Sequence, residues 1–136
     1  MLRESVLVVA LGLVTLPVLG HGEDKLGPHG GHIKMPGAFH TELVLAGPGK
    51  VNIYLLDFNM KNPSVRDSSV VLSLHGRGRV SAPCVQRKDD RNDDYFACEF
   101  PPMADFAKKG ALVLEAQREK QKGQVVRYEL PLPHVR

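Results

Sequence analysis

Histidine and methionine side chains cluster in residues 27–40 of the chain. These fourteen residues include three of the six histidines and one of the four methionines, together with several glycines and prolines. Imidazole nitrogen and thioether sulfur are donors that transition metals accept, and frequent glycine and proline favour an irregular backbone. The composition therefore predicts a metal-binding loop, and the alternative is a flexible polar linker.

This loop leads into a predicted β-hairpin. Residues 39–46 and 51–56 alternate between apolar and polar side chains, and residues 47–50 have the composition of a turn. With the hairpin centred on that turn, the numbers of facing residues sum to about 97, so His40 is expected opposite Asp57.

The open end of the hairpin collects the donors that we predict as metal ligands. Imidazole combined with thioether suits copper, and thioether favours the cuprous ion, whereas a set of histidines alone would equally accept zinc. We therefore expect a copper carrier or buffer, with zinc as the alternative ion. Protonated imidazole is not a ligand, so binding should weaken as the pH falls through about 6.5. The predicted ligand set is His29, His32, Met35, His40 and Met60.

Enzymatic activity is not expected from the sequence. It contains no Gly-x-Ser-x-Gly elbow, no His-Glu-x-x-His pair and no phosphate-binding glycine loop. A mature chain starting at His21 would chelate cupric copper through its amine and ring, as an oxygen-activating copper enzyme does. Such enzymes need an aromatic substrate surface, and three tyrosines, five phenylalanines and no tryptophan provide little of one.

The N-terminus has the pattern of a secretory signal peptide. Arg3 precedes an apolar run over residues 6–19, and small residues follow at a cleavage site after Gly20 or Gly22. No second apolar stretch follows, so we expect no membrane span after cleavage. The predicted organisation is a signal peptide (1–20), a flexible His/Gly-rich segment (21–35) and a β-sandwich domain (36–136), in a periplasmic or secreted protein.

Cys84 and Cys98 are the only cysteines. If the strands around them form a hairpin with its tip near Arg91, facing residue numbers sum to 182 and the two cysteines face each other within the reach of a disulfide. An oxidising compartment preserves such a bond, and closing a loop of this size stabilises a protein by about 3 kcal/mol. We predict a disulfide, the alternative being a thiolate metal site.

The remaining pattern predicts an all-β domain. Seven segments with a period of two, joined by Gly/Pro turns, indicate an antiparallel sandwich of immunoglobulin-like topology, with a small barrel as the alternative. Residues 103–109 are expected to form one helical turn, and Pro83 an edge position or bulge. The seven predicted strands are residues 39–46, 51–56, 69–75, 79–87, 95–100, 111–117 and 124–132.

Charge patterning excludes nucleic acid as a partner. The formal net charge is +3, but acids and bases are interleaved, as in residues 87–94, and no basic stripe carries aromatic side chains. We expect a monomer whose partner is a metal ion.

Residues 27–63 resemble a family of small exported β-sandwich modules. The resemblance rests on His29-Gly-Gly, on the Gly-x-Phe-His-x-Glu-Leu strand at residues 37–43, and on Val-Asn-Ile-Tyr-Leu-Leu-Asp at residues 51–57 followed by Lys-Asn-Pro at 61–63. Such modules accompany periplasmic heavy-metal (copper) resistance systems and form the N-terminal domain of metal-efflux adaptor subunits. The resemblance implies a periplasmic module that binds or transfers copper, with an envelope efflux protein or metalloprotein as its partner. The chain lacks the adaptors' helical hairpin and lipoyl-like domain, so a free-standing module fits best.

A second function remains open from the sequence alone. A sandwich with an unpaired edge strand could instead pair with another envelope protein and bind no metal. This alternative explains the fold but not the histidines and methionines.

Overall fold

The computed structural model describes residues 25–134, which form two antiparallel sheets packed face to face and contain no α-helix. The predicted signal peptide and residues 21–24 lie outside this range. The strands are β1 (His32–Lys34), β2 (His40–Gly47), β3 (Lys50–Leu56), β4 (Ser69–His75), β5 (Arg79–Ala82), β6 (Cys84–Lys88), β7 (Asp94–Glu99), β8 (Gly110–Arg118), β9 (Gln121–Lys122) and β10 (Val126–Leu130).

The first sheet has the strand order β1-β2-β3-β7-β6, and the second has the order β10-β8-β4-β5 with β9 paired to β8. Side chains alternate across each strand, so one face of each sheet contributes to a shared apolar core. Tyr128 of β10 also joins the sheets, because its hydroxyl lies 2.6 Å from that of buried Thr41 on β2. The largest buried core side chains include Phe39, Leu43, Ile53, Leu55, Leu72, Leu112 and Leu114.

The all-β, two-sheet architecture predicted from the sequence is confirmed, but the structure has ten strands where seven were predicted. Pro83 divides the predicted strand 79–87 into β5 and β6, which belong to different sheets. Proline has no N–H to donate to a ladder. β1 and β9 have only three and two residues, too few to show a period. The expected helical turn at 103–109 consists of turns without helix, and the immunoglobulin-like topology stays a prediction.

The predicted hairpin between β6 and β7 is confirmed. Cys84 faces Cys98, and Lys88 faces Asp94, so the residue numbers of each pair sum to 182. The two cysteines form a disulfide. The tip of this hairpin is the segment 89–93, here called the acidic turn.

The register of the β2–β3 hairpin differs from the prediction by one residue. A bulge between Leu45 and Gly47 changes the sum of facing residue numbers from 97 at the turn to 96 along the strands. His40 therefore faces Leu56 and not Asp57, while Glu42 faces Tyr54. The composition of the turn does not reveal a bulge that accommodates one extra residue in β2.

A second, small apolar cluster covers the outer face of the first sheet. Ile33, Tyr54 and Leu56 are buried there, and the partly buried side chains Val44, Met60 and Tyr95 pack against them. β1 belongs to the segment 21–35 predicted to be flexible, and that flexibility stays a prediction. Among residues 25–134, no helix is long and apolar enough to span a membrane.

Candidate metal centre

His29 lies on the outer face of the first sheet, between two carboxylate groups. Its Nδ1 is 2.7 Å from Oε1 of Glu42, and its Nε2 is 2.8 Å from Oδ2 of Asp93 and 3.7 Å from Oδ2 of Asp89. The imidazole also stacks on Tyr54, with ring centroids 3.6 Å apart and the planes inclined by 7°. Only 6% of the His29 side chain is exposed. The ring is therefore held on both edges and on one face.

The loop that carries His29 wraps around the carboxylate of Glu42. That carboxylate is fully buried, and its Oε2 accepts the backbone N–H groups of His29 at 2.7 Å and of Gly31 at 2.9 Å. A Cβ at position 31 would approach the carbonyl oxygen of Leu43 to 2.6 Å, and one at position 27 would approach Oε2 of Glu42 to 2.5 Å. Glycine at these two positions lets the backbone come close enough to bind Glu42.

The acidic turn supplies the other carboxylates. Asp89 directly follows β6 and begins a tight turn, in which its Oδ1 accepts the N–H groups of Arg91 and Asp93, each at 2.9 Å. The guanidinium of Arg91 donates to the carbonyl of Pro28 at 3.0 Å. The turn is therefore fastened to the His29 loop by its backbone fold and by a direct hydrogen bond.

Tyr54 contributes a neutral donor to the centre. Its hydroxyl donates to Oδ2 of Asp89 at 2.8 Å. Burial, followed by the hydrogen bond and the charge of Asp89, raises the pKa of Tyr54 well above its usual value. Tyr54 consequently stays protonated at any physiological pH, and it orients Asp89 instead of offering a phenolate ligand.

Asp89 is ionised at neutral pH. Burial acts most strongly on this group and raises its pKa, but hydrogen bonds from Asp93, Tyr54 and Arg91 together outweigh burial, and the net pKa is lowered. Metal ligands must be deprotonated. Asp89 therefore meets that requirement over a wide pH range.

The three groups His29, Asp89 and Asp93 fit a metal ion. One ligand atom from each lies within 4.8 Å of the others. Ligand atoms on a tetrahedral zinc ion are about 3.3 Å apart, and the distances of 2.8 and 3.7 Å from Nε2 bracket that value. With a metal at Nε2, Glu42 on Nδ1 would supply the carboxylate that fixes the tautomer of a ligating histidine. Depressions of about 340 and 430 Å³ border His29 and give access to the centre.

A proton can take the place of the metal in this arrangement. When both ring nitrogens of His29 carry hydrogen, they donate to Glu42 and Asp93, and the ring then links the loop to the acidic turn as a cation. A metal at Nε2 must displace one of these protons. Metal and proton therefore compete for the same position.

The structure separates the ligand set predicted from the sequence. His32 lies on β1 opposite Leu43, whereas neighbouring Ile33 belongs to the outer-face cluster. Burial lowers the pKa of His32. Met35 follows β1 and is 49% exposed. Neither residue belongs to the cluster around Asp89 and Asp93.

His40 and Met60 both contact the backbone of Asp57. Nδ1 of His40 is 3.1 Å from the carbonyl oxygen of Asp57, and the same carbonyl accepts the N–H of Met60 at 3.0 Å. Met60 also lines the depression that contains His29 and Asp93. Of the five predicted ligands, His29 alone joins the three-residue cluster, and Met60 borders it.

Sequence reasoning missed Glu42, Tyr54, Asp89 and Asp93. The alternation of residues 39–46 assigned Glu42 to the outer face of its strand, where a solvent-exposed acid is common. The aspartates of the acidic turn were interpreted as a solvated hairpin tip. Two features of the sequence could have indicated these residues. One is the glycines that flank His29, and the other is the β6–β7 register, in which facing residue numbers sum to 182 and residues 89–93 form the hairpin tip. The pairing of β3 with β7, which brings that tip to Tyr54, has no local signature.

No protein-family model matches the chain, and comparisons with curated proteins and with solved structures gave no significant match. The resemblance of residues 27–63 to metal-resistance modules accordingly stays a prediction.

Proposed function

We propose that this protein is a metal-binding carrier or buffer that holds a divalent first-row ion at His29, Asp89 and Asp93. The observation that carries the proposal is the imidazole of His29, which is fixed by Glu42 on one nitrogen and faces two carboxylates with the other. Binding and release of the ion are the proposed activity.

The donor set favours zinc or cupric copper over cuprous copper. One nitrogen and two carboxylate oxygens are harder donors than the thioethers that cuprous copper prefers. Cupric copper binds most nitrogen and oxygen sites more tightly than zinc does, so copper stays part of the proposal in its oxidised form. Met60 at the border of the site would supply a weak additional ligand.

The compartment belongs to the same proposal. The Cys84–Cys98 disulfide supports an oxidising environment. With the signal-peptide pattern of residues 1–20, this favours an exported protein, periplasmic or extracellular. The fold proposed is an immunoglobulin-like sandwich of the kind found in metal-resistance systems, acting with an envelope efflux protein or metalloprotein as its partner.

The alternative of an edge-strand interaction module ranks second. The sheets end in β1, β6, β10 and β5, which have three to five residues each, and β6 presents exposed Arg87 and Lys88. Short strands and basic side chains are devices that protect sheet edges from pairing. Metal binding accounts for more of the observed geometry.

Competitive titration of the mature protein tests the proposal. Zinc, cupric and cuprous ions are added against chelators of known affinity, with the wild type, His29→Gln and the double variant Asp89→Asn/Asp93→Asn. The amide introduced by Asp89→Asn can still accept the N–H groups of the turn through its oxygen, so the hairpin should persist, which circular dichroism checks. We expect both variants to lose at least about tenfold in zinc and cupric affinity.

The matched control is Asp90→Asn/Asp94→Asn, which removes two carboxylates from the same hairpin but none from the cluster. It should bind like the wild type. Equal loss in the control would show that only net charge matters. Loss in His40→Ala and Met60→Ala without loss in His29→Gln would instead move the site to the ligands predicted from the sequence.

A further inference from the structure

A cavity lies at one open end of the sandwich, away from the candidate metal centre. It has a volume of about 700 Å³ and is formed by two segments, the β4–β5 turn with its flanking residues and the irregular stretch 101–109. Its size falls within the range of small-molecule sites.

The floor of this cavity is apolar and continuous with the core. Leu74 and Ala104 line it and also pack against the core cluster. Val80, which faces Leu74 across β4 and β5, is 41% exposed, and Met103 is 87% exposed. Apolar surface that opens from a core to solvent in this way offers a place for the apolar part of a ligand.

The rim of the cavity is cationic. Arg77, Arg79, Lys108 and Lys109 line it, and within residues 25–134 none of their side chains forms an ion pair or hydrogen bond. One acid, Asp105, lines the same cavity, and its carboxylate accepts the N–H of Ala107 at 2.9 Å. Four cations against one carboxylate leave an excess of positive charge at the mouth.

We infer that this cavity, here called the basic mouth, binds an amphiphilic anion: a single small molecule with an acid group and an apolar chain. The apolar chain would lie against Leu74, Val80 and Met103, and the acid group would reach Arg and Lys side chains on the rim. A concave apolar floor favours a monomeric ligand over a flat bilayer, which would touch only the rim.

The test uses the mature protein and decanoate below its micelle-forming concentration. Calorimetry gives the affinity, and amide chemical shifts of the ¹⁵N-labelled protein give the location. We expect decanoate and decyl phosphate to bind, decanol to bind at least about tenfold more weakly because it lacks the charge, and decyltrimethylammonium not to bind. Shifts should concentrate in residues 74–80 and 101–109 and leave the His29 loop unchanged.

Two variants test the cationic rim and the apolar floor of the basic mouth separately. Arg79→Glu/Lys108→Glu reverses two rim charges and should weaken decanoate binding by at least about tenfold. Met103→Asp should also weaken decanoate binding, because it places a carboxylate beside the apolar floor. Met103 is exposed, so this substitution should not affect folding. The matched control Lys120→Glu/Lys122→Glu makes the same charge change at the other end of β8 and should bind decanoate like the wild type.

Several results would overturn the inference: decanol binding as tightly as decanoate, an equal loss in the control variant, shifts outside the basic mouth, or no binding. The protein could bind phosphatidylglycerol vesicles or a poly-glutamate peptide but not monomeric decanoate. That result would overturn the inference, because the ligand would then be a membrane or an acidic protein. The zinc affinity of all these variants should equal that of the wild type, since the metal centre is separate.

Discussion

His29 is the residue on which the proposed metal centre depends, and its geometry is created by Glu42. A fully buried carboxylate is stabilised only when its oxygens are hydrogen-bonded, and here two backbone N–H groups and one ring nitrogen surround it. The buried acid thus gives the otherwise irregular His29 loop a single conformation. It also determines which nitrogen of His29 is left for a metal.

Glu42→Gln should therefore weaken both the fold and metal binding. An amide directs an N–H toward one of the donors that now reach the carboxylate, so we expect the free energy of unfolding to fall by about 2 kcal/mol. Zinc affinity should fall by about 10- to 100-fold, as for other outer partners of ligating histidines. Urea denaturation and metal titration measure the two effects. Glu115→Gln, an exposed acid on β8, serves as the control; a similar loss there would refute a specific role for Glu42.

His32 gives a second prediction at this scale, about pH. Its folded pKa is lowered by burial, so the unfolded chain binds a proton at His32 more readily than the folded chain does. Its contribution should therefore reduce stability as the pH falls from about 6.5 toward the folded pKa, and should be constant below it. Denaturation at a series of pH values should show a smaller acid-induced loss for His32→Gln than for the wild type. Identical profiles would contradict this, and His134→Gln, near the C-terminus, is the control.

Among the elements, the β6–β7 hairpin carries the acidic turn and is closed by the disulfide. Its register could be predicted from the sequence, because two cysteines and one turn define a single sum of facing residue numbers. The β2–β3 register could not, since the bulge near Ala46 depends on how one extra residue is accommodated rather than on composition. Because of that bulge Glu42 faces Tyr54, whereas in the register predicted from the turn it would face Leu55.

Removing the disulfide should cost the molecule stability and loosen the metal centre. For Cys84→Ala/Cys98→Ala we expect the free energy of unfolding to fall by about 3 kcal/mol, the chain-entropy value for a loop of this size. Zinc affinity should fall as well, because Asp89 and Asp93 lie at the end of the same hairpin. Chemical denaturation of the variant, compared with the oxidised wild type, tests this, and the reduced wild type should match the variant. A change below about 1 kcal/mol would mean that β-sheet pairing alone holds the hairpin.

At the scale of the whole molecule, the sequence predicted two packed β-sheets but did not predict which strands pair within them. Alternation predicted two packed sheets, since a strand with one apolar face must bury it. Pairing of β3 with β7 joins residues far apart in the chain, and no local pattern encodes it. The candidate metal centre is assembled by such distant contacts, which explains why Glu42, Tyr54, Asp89 and Asp93 were missed.

Zinc should stabilise the domain, because its ligands join the His29 loop at one edge of the first sheet to the β6–β7 hairpin at the other edge. Binding to the folded state alone adds about 2.7 kcal/mol at a free ion concentration 100 times the Kd. Thermal unfolding with and without zinc should show this increase at pH 7.5. It should be absent in Asp89→Asn/Asp93→Asn. An equal increase in that variant would place zinc elsewhere.

The most direct measurement of the central claim is the nitrogen NMR spectrum of the histidine side chains during zinc titration. We predict that the Nε2 signal of His29 moves to the position of a metal-bound nitrogen, while its Nδ1 keeps a proton shared with Glu42. The rings of His32 and His40 should remain unchanged at one equivalent of zinc. If His32 or His40 responds instead and the ring of His29 keeps both of its carboxylate hydrogen bonds, the metal centre proposed for His29, Asp89 and Asp93 is wrong.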